Sequence, residues 1–262
     1  MRPVSKRLGA VPPSQTTAFT TLVAEERRKG RHIIDLAVGE YPGPAPATVI
    51  AATQNALADG QYRYGPVAGL PALRAALACR YPGTTEDNVI VTNGAKQALF
   101  HVFQAICDPG AEVIIPTPCW VSFPQMVRLA GGRPVMVPCG PDHQLDIGRI
   151  RAAVSDKTCA ILINTPNNPT GAAYPPEAMA ALVETARTGG FTLISDETYA
   201  ELVYDEFRHC SAASLNNTDD TVIVVGSFSK SFSMTGFRVG YAVATTEIIK
   251  ADAVPRMPGF TS

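Results

Sequence analysis

The sequence predicts an α/β fold: a mostly parallel central sheet with helices on both faces. Three observations carry that expectation. From Asn88 onward, short β-branched runs alternate with helical stretches. Each run is bounded by Gly, Pro, Asn or Asp, and several, such as 158–164 and 221–226, are apolar on both faces as buried parallel strands are. Strand-to-strand connections long enough to hold a helix imply right-handed crossovers, and ligands then bind beyond the carboxyl ends of the strands.

In chain order, Ser14 opens a helix through Leu22 and Val23 into the charged run 25–29, and Gly30 stands where a C-terminal cap belongs. The stretch IIDLAVG, 33–39, reads as a short strand. Helices fit 48–59 and 71–80, the second starting on Pro71 in the first turn, where a missing N–H costs nothing. Strands are expected at 88–92, 112–115, 134–138, 158–164, 191–195, 221–226 and 238–243, with helices near 96–107, 120–130, 147–154 and 176–188. The last stretch, VPRMPGFTS, has two prolines and no amphipathic period. The expected division is an N-terminal arm (1–45), a large domain (46–250) and an irregular tail (251–262).

Composition narrows the function. The formal charge of -1, from 22 basic and 23 acidic residues, gives no field that would gather nucleic acid or an anionic membrane. Every apolar stretch is interrupted before it reaches the length of a bilayer span, and the basic start has no signal-type apolar core, so a cytoplasmic location is expected. The six cysteines and four histidines show no ligand spacing. The cysteines read as reduced small hydrophobes, and no metal is expected.

Four strand ends carry polar groups. In VIVVGSFSKSFSMTGFRVGY, Lys230 follows a buried strand, with Ser227 and Ser229 before it and Arg238 eight residues on. A lysine in mid-chain is ordinarily a solvated surface group. At a sheet's carboxyl edge, a primary amine among hydroxyls and a guanidinium also suits imine formation with a phosphate-bearing aldehyde. In VIVTNGAKQALFHVF, the amides of Gly94, Ala95 and Lys96 fall at a helix start that favours an anion, although a plain tight turn reads the same way. No Walker or GxGxxG string occurs.

Asp196 and Tyr199 follow the strand of FTLISDETY, and Asn168 follows that of ILINTPNNPTG. Asp196 could pair with a protonated ring nitrogen or merely cap a turn, while Asn168 and Tyr199 could hydrogen-bond a phenolic oxygen. Trp120, in IIPTPCWVSF, could stack on a flat ring or pack in the core. The Thr117–Pro118 and Asn168–Pro169 bonds are candidates for cis geometry.

Taken in order, LAVGEYPGP, YRYGPVAGLPALR, NGAKQALF, TPCWVSFPQM, NTPNNPTG, SDETY and SFSKSFSMTGFRVGYA resemble the class I and II aminotransferases, in particular the aspartate-aminotransferase-like branch. The last three together, in this spacing, are highly specific. The resemblance implies a pyridoxal 5'-phosphate (PLP) enzyme that moves an amino group between an L-amino acid and a 2-oxo acid. It makes Lys230 the Schiff-base and proton-shuttling lysine, Asp196 the acid on the pyridine nitrogen, and Asn168 and Tyr199 the partners of the ring oxygen. Gly94, Ala95 and Lys96 amides with Ser227 and Arg238 become the phosphate cup, and Trp120 the stacking aromatic. Tyr64 matches a tyrosine that reaches the neighbouring subunit's phosphate, which implies a homodimer. Gly39 matches a backbone position at the substrate α-carboxylate, a site it shares with Asn168.

The resemblance stops after Ile249 and Lys250, where the family continues into a small domain bearing the substrate-carboxylate arginine. Arg256 does not match it. Other reactions on the same core (lyase, decarboxylase or synthase chemistry) and a catalytically dead binding or dimerisation remnant therefore stand as alternatives.

Overall fold

The computed structural model describes residues 9, 11–12, 15–36, 39–41, 43–215 and 221–253. Seven strands form one sheet: β1 (Val89–Thr92), β2 (Glu112–Thr117), β3 (Arg133–Pro138), β4 (Thr158–Asn164), β5 (Thr192–Asp196), β6 (Val222–Ser227) and β7 (Gly240–Val243). The α-helices include α1 (Gln15–Arg28), α2 (Ala47–Ala58), α3 (Pro71–Ala78), α4 (Ala95–Ile106), α5 (Phe123–Leu129), α6 (Ile147–Ala152), α7 (Pro176–Gly189), α8 (Phe228–Ser231) and α9 (Thr246–Ala253). The sheet order is β1-β7-β6-β5-β4-β2-β3. Pairing is parallel from β6 through β3, and β7 alone runs antiparallel, between β1 and β6.

Alternation along each strand feeds two cores. In β4, Ile161 and Ile163 face Leu77 of α3, Ile150 of α6, and Met179 and Leu182 of α7. Ala160 and Leu162 face the other way, towards Leu99 and Phe103 of α4, Phe123 and Val127 of α5, and Ile249 of α9. Both faces are therefore dry, which is why these strands are continuously apolar rather than alternating. Each fully buried Ile, Leu, Val, Met or Phe among them contributes about 1.5–3 kcal/mol.

The expected strands and helices of the sheet region are present, with ends shifted by a few residues. Two readings are corrected. The described part of the stretch 33–39 makes no strand: residues 31–36 pair with no strand, and Ile34 and Leu36 are 78% and 91% exposed. An apolar alternation signals a strand only where a sheet edge is there to receive it. The turn after β6 closes as a short helix, α8, because the Ser227 side chain accepts from the Ser229 amide and caps it. Residues 251–253 belong to α9 rather than to an irregular tail. Ser14 and Arg256 lie outside the described residues.

The antiparallel β7 decides what the sheet's carboxyl edge presents. Because β7 starts where its neighbours end, Gly240 pairs with both Thr92 of β1 and Ser227 of β6. Farther along the same edge, Asp196 of β5 stands level with Asn164 of β4. Gly240 is required by close approach: a Cβ there would run into the backbone amide of Ala95 at the start of α4. Gly240→Ala should therefore push β7 from α4 and lower stability by about 1–3 kcal/mol, read as a lower urea midpoint with unchanged slope.

Candidate active site

Six segments reach this edge, and their side chains join in a chain of contacts. Asn168 Nδ2 donates to the Tyr199 hydroxyl at 3.3 Å. The Asn168 amide is itself anchored on Asn164 Oδ1 at 2.7 Å, so the loop after β4 is tied to its own strand end. The Lys230 amine lies 6.0 Å from the Tyr199 ring centroid and donates to the Gly39 carbonyl. Arg238, held with φ +56° by a 2.8 Å bond from Nη1 to the Thr235 carbonyl, lies against the Gly94 turn. A Cβ on Gly94, whose φ is +79°, would stand 2.5 Å from Arg238 Nη2. Lys96 Nζ sits 4.8 Å from the centre of Trp120, whose ring meets Phe123 edge-on.

Each position has a local cause. Gly94 is the N-cap of α4 and offers no side chain, so the first amides of that helix, Ala95 and Lys96 among them, keep unpaired N–H groups and a positive dipole end. Ser227 Oγ donates to the Val239 carbonyl at 3.3 Å, fixing the Lys230 turn to the segment that carries Arg238. Trp120 stands just ahead of α5, which begins at Phe123 rather than near 120, behind a cis Thr117–Pro118 bond. Asn168–Pro169 is also cis, as expected, and so is Thr165–Pro166.

The electrostatics divide the site. Burial pushes the Asp196 carboxyl up to about 6, with Glu197 nearby adding to the rise and its bond from the Thr198 amide opposing it. No cation pairs with Asp196 among the described residues. Burial and the Asp196 charge raise the Tyr199 phenol. On the other side, burial lowers the Lys230 amine, Arg238 lowers it further, and Glu40 opposes both. Burial and Arg238 likewise lower Lys96. The arrangement is a cationic, donor-rich cluster beside one buried acid that lacks a countercharge among the described residues. A flat ligand with an anion at one end and a basic ring nitrogen at the other answers both ends.

Of the residues singled out in the sequence, Gly39, Gly94, Ala95, Lys96, Trp120, Asn168, Asp196, Tyr199, Ser227, Lys230 and Arg238 stand at this edge. Tyr64 does not join them: it lies between α2 and α3, 92% exposed, and none of these contacts involves it. Glu40 was not singled out. Its carboxylate accepts from Thr235 and faces Lys230, and nothing in the stretch LAVGEYPGP distinguishes it from a solvated acid. Glu197 was also passed over. Buried, it accepts from Ser195, Ser211 and the Ala212 amide at 2.9–3.0 Å and so pins the segment after Tyr199; the adjacent acids of SDETY were the only signal.

The sequence profile described as Aminotransferase class I and II matches residues 31–259. This chain belongs to that family. Among similar proteins, the probable aspartate/prephenate aminotransferase of Thermus aquaticus is 44% identical over 260 residues, covering 97% of this chain and 67% of the relative. The aspartate aminotransferase of Bacillus subtilis is 38% identical over 256 residues, covering 95% and 65% respectively. A solved aspartate aminotransferase from Thermus thermophilus, crystallised with maleate, superposes with a TM-score of 0.95 at 43% identity, over 100% of this chain and 70% of that one. The chain thus spans about two thirds of the length of these aminotransferases. Among the described residues, no helix is long and apolar enough to cross a membrane.

The raised Asp196 makes a pH prediction. A carboxyl whose folded value lies above its unfolded one near 3.9 binds its proton more tightly when folded, so its contribution is complete below that value and is lost as pH rises through about 6. Unfolding free energies of the ligand-free wild type and Asp196→Asn, measured by denaturant titration from pH 4 to 7, should diverge. The wild type should lose roughly 2–3 kcal/mol relative to the variant across that window.

Proposed function

We propose that this chain binds pyridoxal 5'-phosphate at the sheet's carboxyl edge and acts as an aminotransferase between an L-amino acid and a 2-oxo acid. The observation that carries the reading is a half-buried amine, Lys230, that neighbours Arg238, which lies against the Gly94 turn, and also Tyr199, which stands by the fully buried acid Asp196, without a cation among the described residues. The relatives named for amino-group transfer support the same chemistry. When bound, the cofactor supplies an aldehyde and an electron-withdrawing ring.

Under this reading each residue has a task, and Asn168 and Lys230 have two. The amides of Gly94, Ala95 and Lys96, the Ser227 hydroxyl and the Arg238 guanidinium hold the phosphate. Asp196, ionised once a cation faces it, keeps the ring nitrogen protonated. Asn168 and Tyr199, already hydrogen-bonded to each other, donate to the ring oxygen, and Trp120 covers the ring face. The depressed Lys230 amine is a nucleophile more readily than an ordinary lysine, and once free it moves the α-proton of the substrate. Gly39 and Asn168 meet the substrate carboxylate. Tyr64, exposed here, reaches the phosphate of a second copy in a homodimer, and the expected division at 45 and 250 makes 46–250 the cofactor-binding unit.

Two measurements test the reading. Purified protein given pyridoxal 5'-phosphate should develop a long-wavelength absorbance band that Lys230→Ala abolishes. Incubation with an amino acid and 2-oxoglutarate should yield the matching oxo acid, with turnover in Lys230→Ala reduced at least about 10²-fold. A band indifferent to Lys230, or no band in the wild type, would overturn the assignment.

A further inference from the structure

At the opposite edge of the sheet, two thiols distant in sequence face each other. Cys107 is the C-cap of α4 and is buried, while Cys159 lies near the start of β4 and is partly exposed. Their sulfurs are 3.8 Å apart across 52 residues of chain. The strand pairing explains how they meet. Between β2 and β4 the register shifts: Glu112 pairs with Thr158 but Val113 pairs with Ala160, which leaves Cys159 as one extra residue. Strict alternation would send Cys159 to the face opposite Ala160. The bulge instead turns it to the same side, where both pack against the core that contains Cys107.

We propose that Cys107 and Cys159 are a dithiol modification site that closes to an intramolecular disulfide when it meets a low-molecular-weight disulfide. A bonded pair lies about 2.05 Å apart, so side-chain rotation must close a gap of roughly 1.8 Å. The two sulfurs have different roles. The hydrogen bond the two sulfurs share holds the Cys159 thiol below its ordinary value, while that bond and burial hold Cys107 above its own. Cys159, which is also the accessible one, is the attacking thiolate.

It takes one sulfur of the small disulfide and releases one small thiol. Cys107 then gives up its proton, attacks the Cys159 sulfur and releases the second. Two protein thiols and one small disulfide become one protein disulfide and two small thiols, so atoms and electrons balance. The bond would fasten the C-terminal end of α4 to β4, and a closed loop of this length removes freedom mainly from the unfolded chain. The proposal is independent of the cofactor reading.

The test is incubation of the folded, reduced protein with oxidised glutathione, followed by peptide mapping. The expected result is a cross-linked peptide pairing Cys107 with Cys159, two hydrogens lost from the intact mass, and a thermal midpoint that falls when the same sample is reduced. Cys107→Ser should stop at a mixed disulfide on Cys159, and Cys159→Ser should give no such cross-link. A fully reduced pair at the end of the incubation, or a cross-link that maps to other cysteines, overturns the proposal.

Discussion

The close approach of Gly240 to the amide of Ala95 is the constraint on which the arrangement depends. It lets an antiparallel strand lie directly beneath the start of α4 while still pairing with β1 and β6. Because that strand is reversed, the residues preceding it arrive at the same edge as the residues that follow its parallel neighbours. Arg238 therefore meets the Gly94 turn, although 144 residues separate them in sequence. A parallel strand in that place would have carried its leading segment to the far edge, and the anion cradle would have had amides but no guanidinium.

That geometry also sets the charge balance. Lys96, Arg238 and Lys230 share one side of the edge, and Arg238 adds to burial in lowering both amines. Three basic groups held together this way repel one another, and the fold sustains them by giving each a neutral partner, with the Glu40 carboxylate also facing Lys230. Arg238 rests on a carbonyl, Lys230 on another, and Lys96 over an indole. Asp196 has the opposite problem, a carboxyl in a dry place with one amide to satisfy it. Both imbalances are costs that a ligand of complementary charge relieves, and that is the sense in which the site is prepared before anything binds.

The sequence made the sheet legible because both faces of its strands are buried, and a buried strand writes itself as an uninterrupted β-branched run. Ile161, Leu162 and Ile163 could hardly read otherwise. The same logic misled at 33–36, where apolar residues are present but, among the described residues, no sheet edge receives them. Candidate site residues were legible where they end such a run or come shortly after it, as Asp196 and Lys230 do. Glu40 and Glu197 were not, because an acid among polar residues carries no mark of burial until the chain has folded. The β4 bulge was equally silent: its register depends on how β2 lies beside it, which no local pattern near Cys159 records.

The exposed stretch around Gly39 shows how the site is joined to the rest of the arm. With no strand pairing, residues 39 and 40 are held to the site through the Lys230 bond to the Gly39 carbonyl and the Thr235 bond to Glu40. Both donors belong to the segment between β6 and β7 that also carries Arg238. The position of the arm at the site is thus linked to the Lys230 amine itself: whatever engages that amine must replace its bond to Gly39, leaving the Glu40 contact to hold the stretch. A ladder of sheet hydrogen bonds would have made that stretch indifferent to events at Lys230. Its absence makes the two responsive to each other, because a carbonyl released by the amine is free to turn to a donor on whatever lies in the pocket.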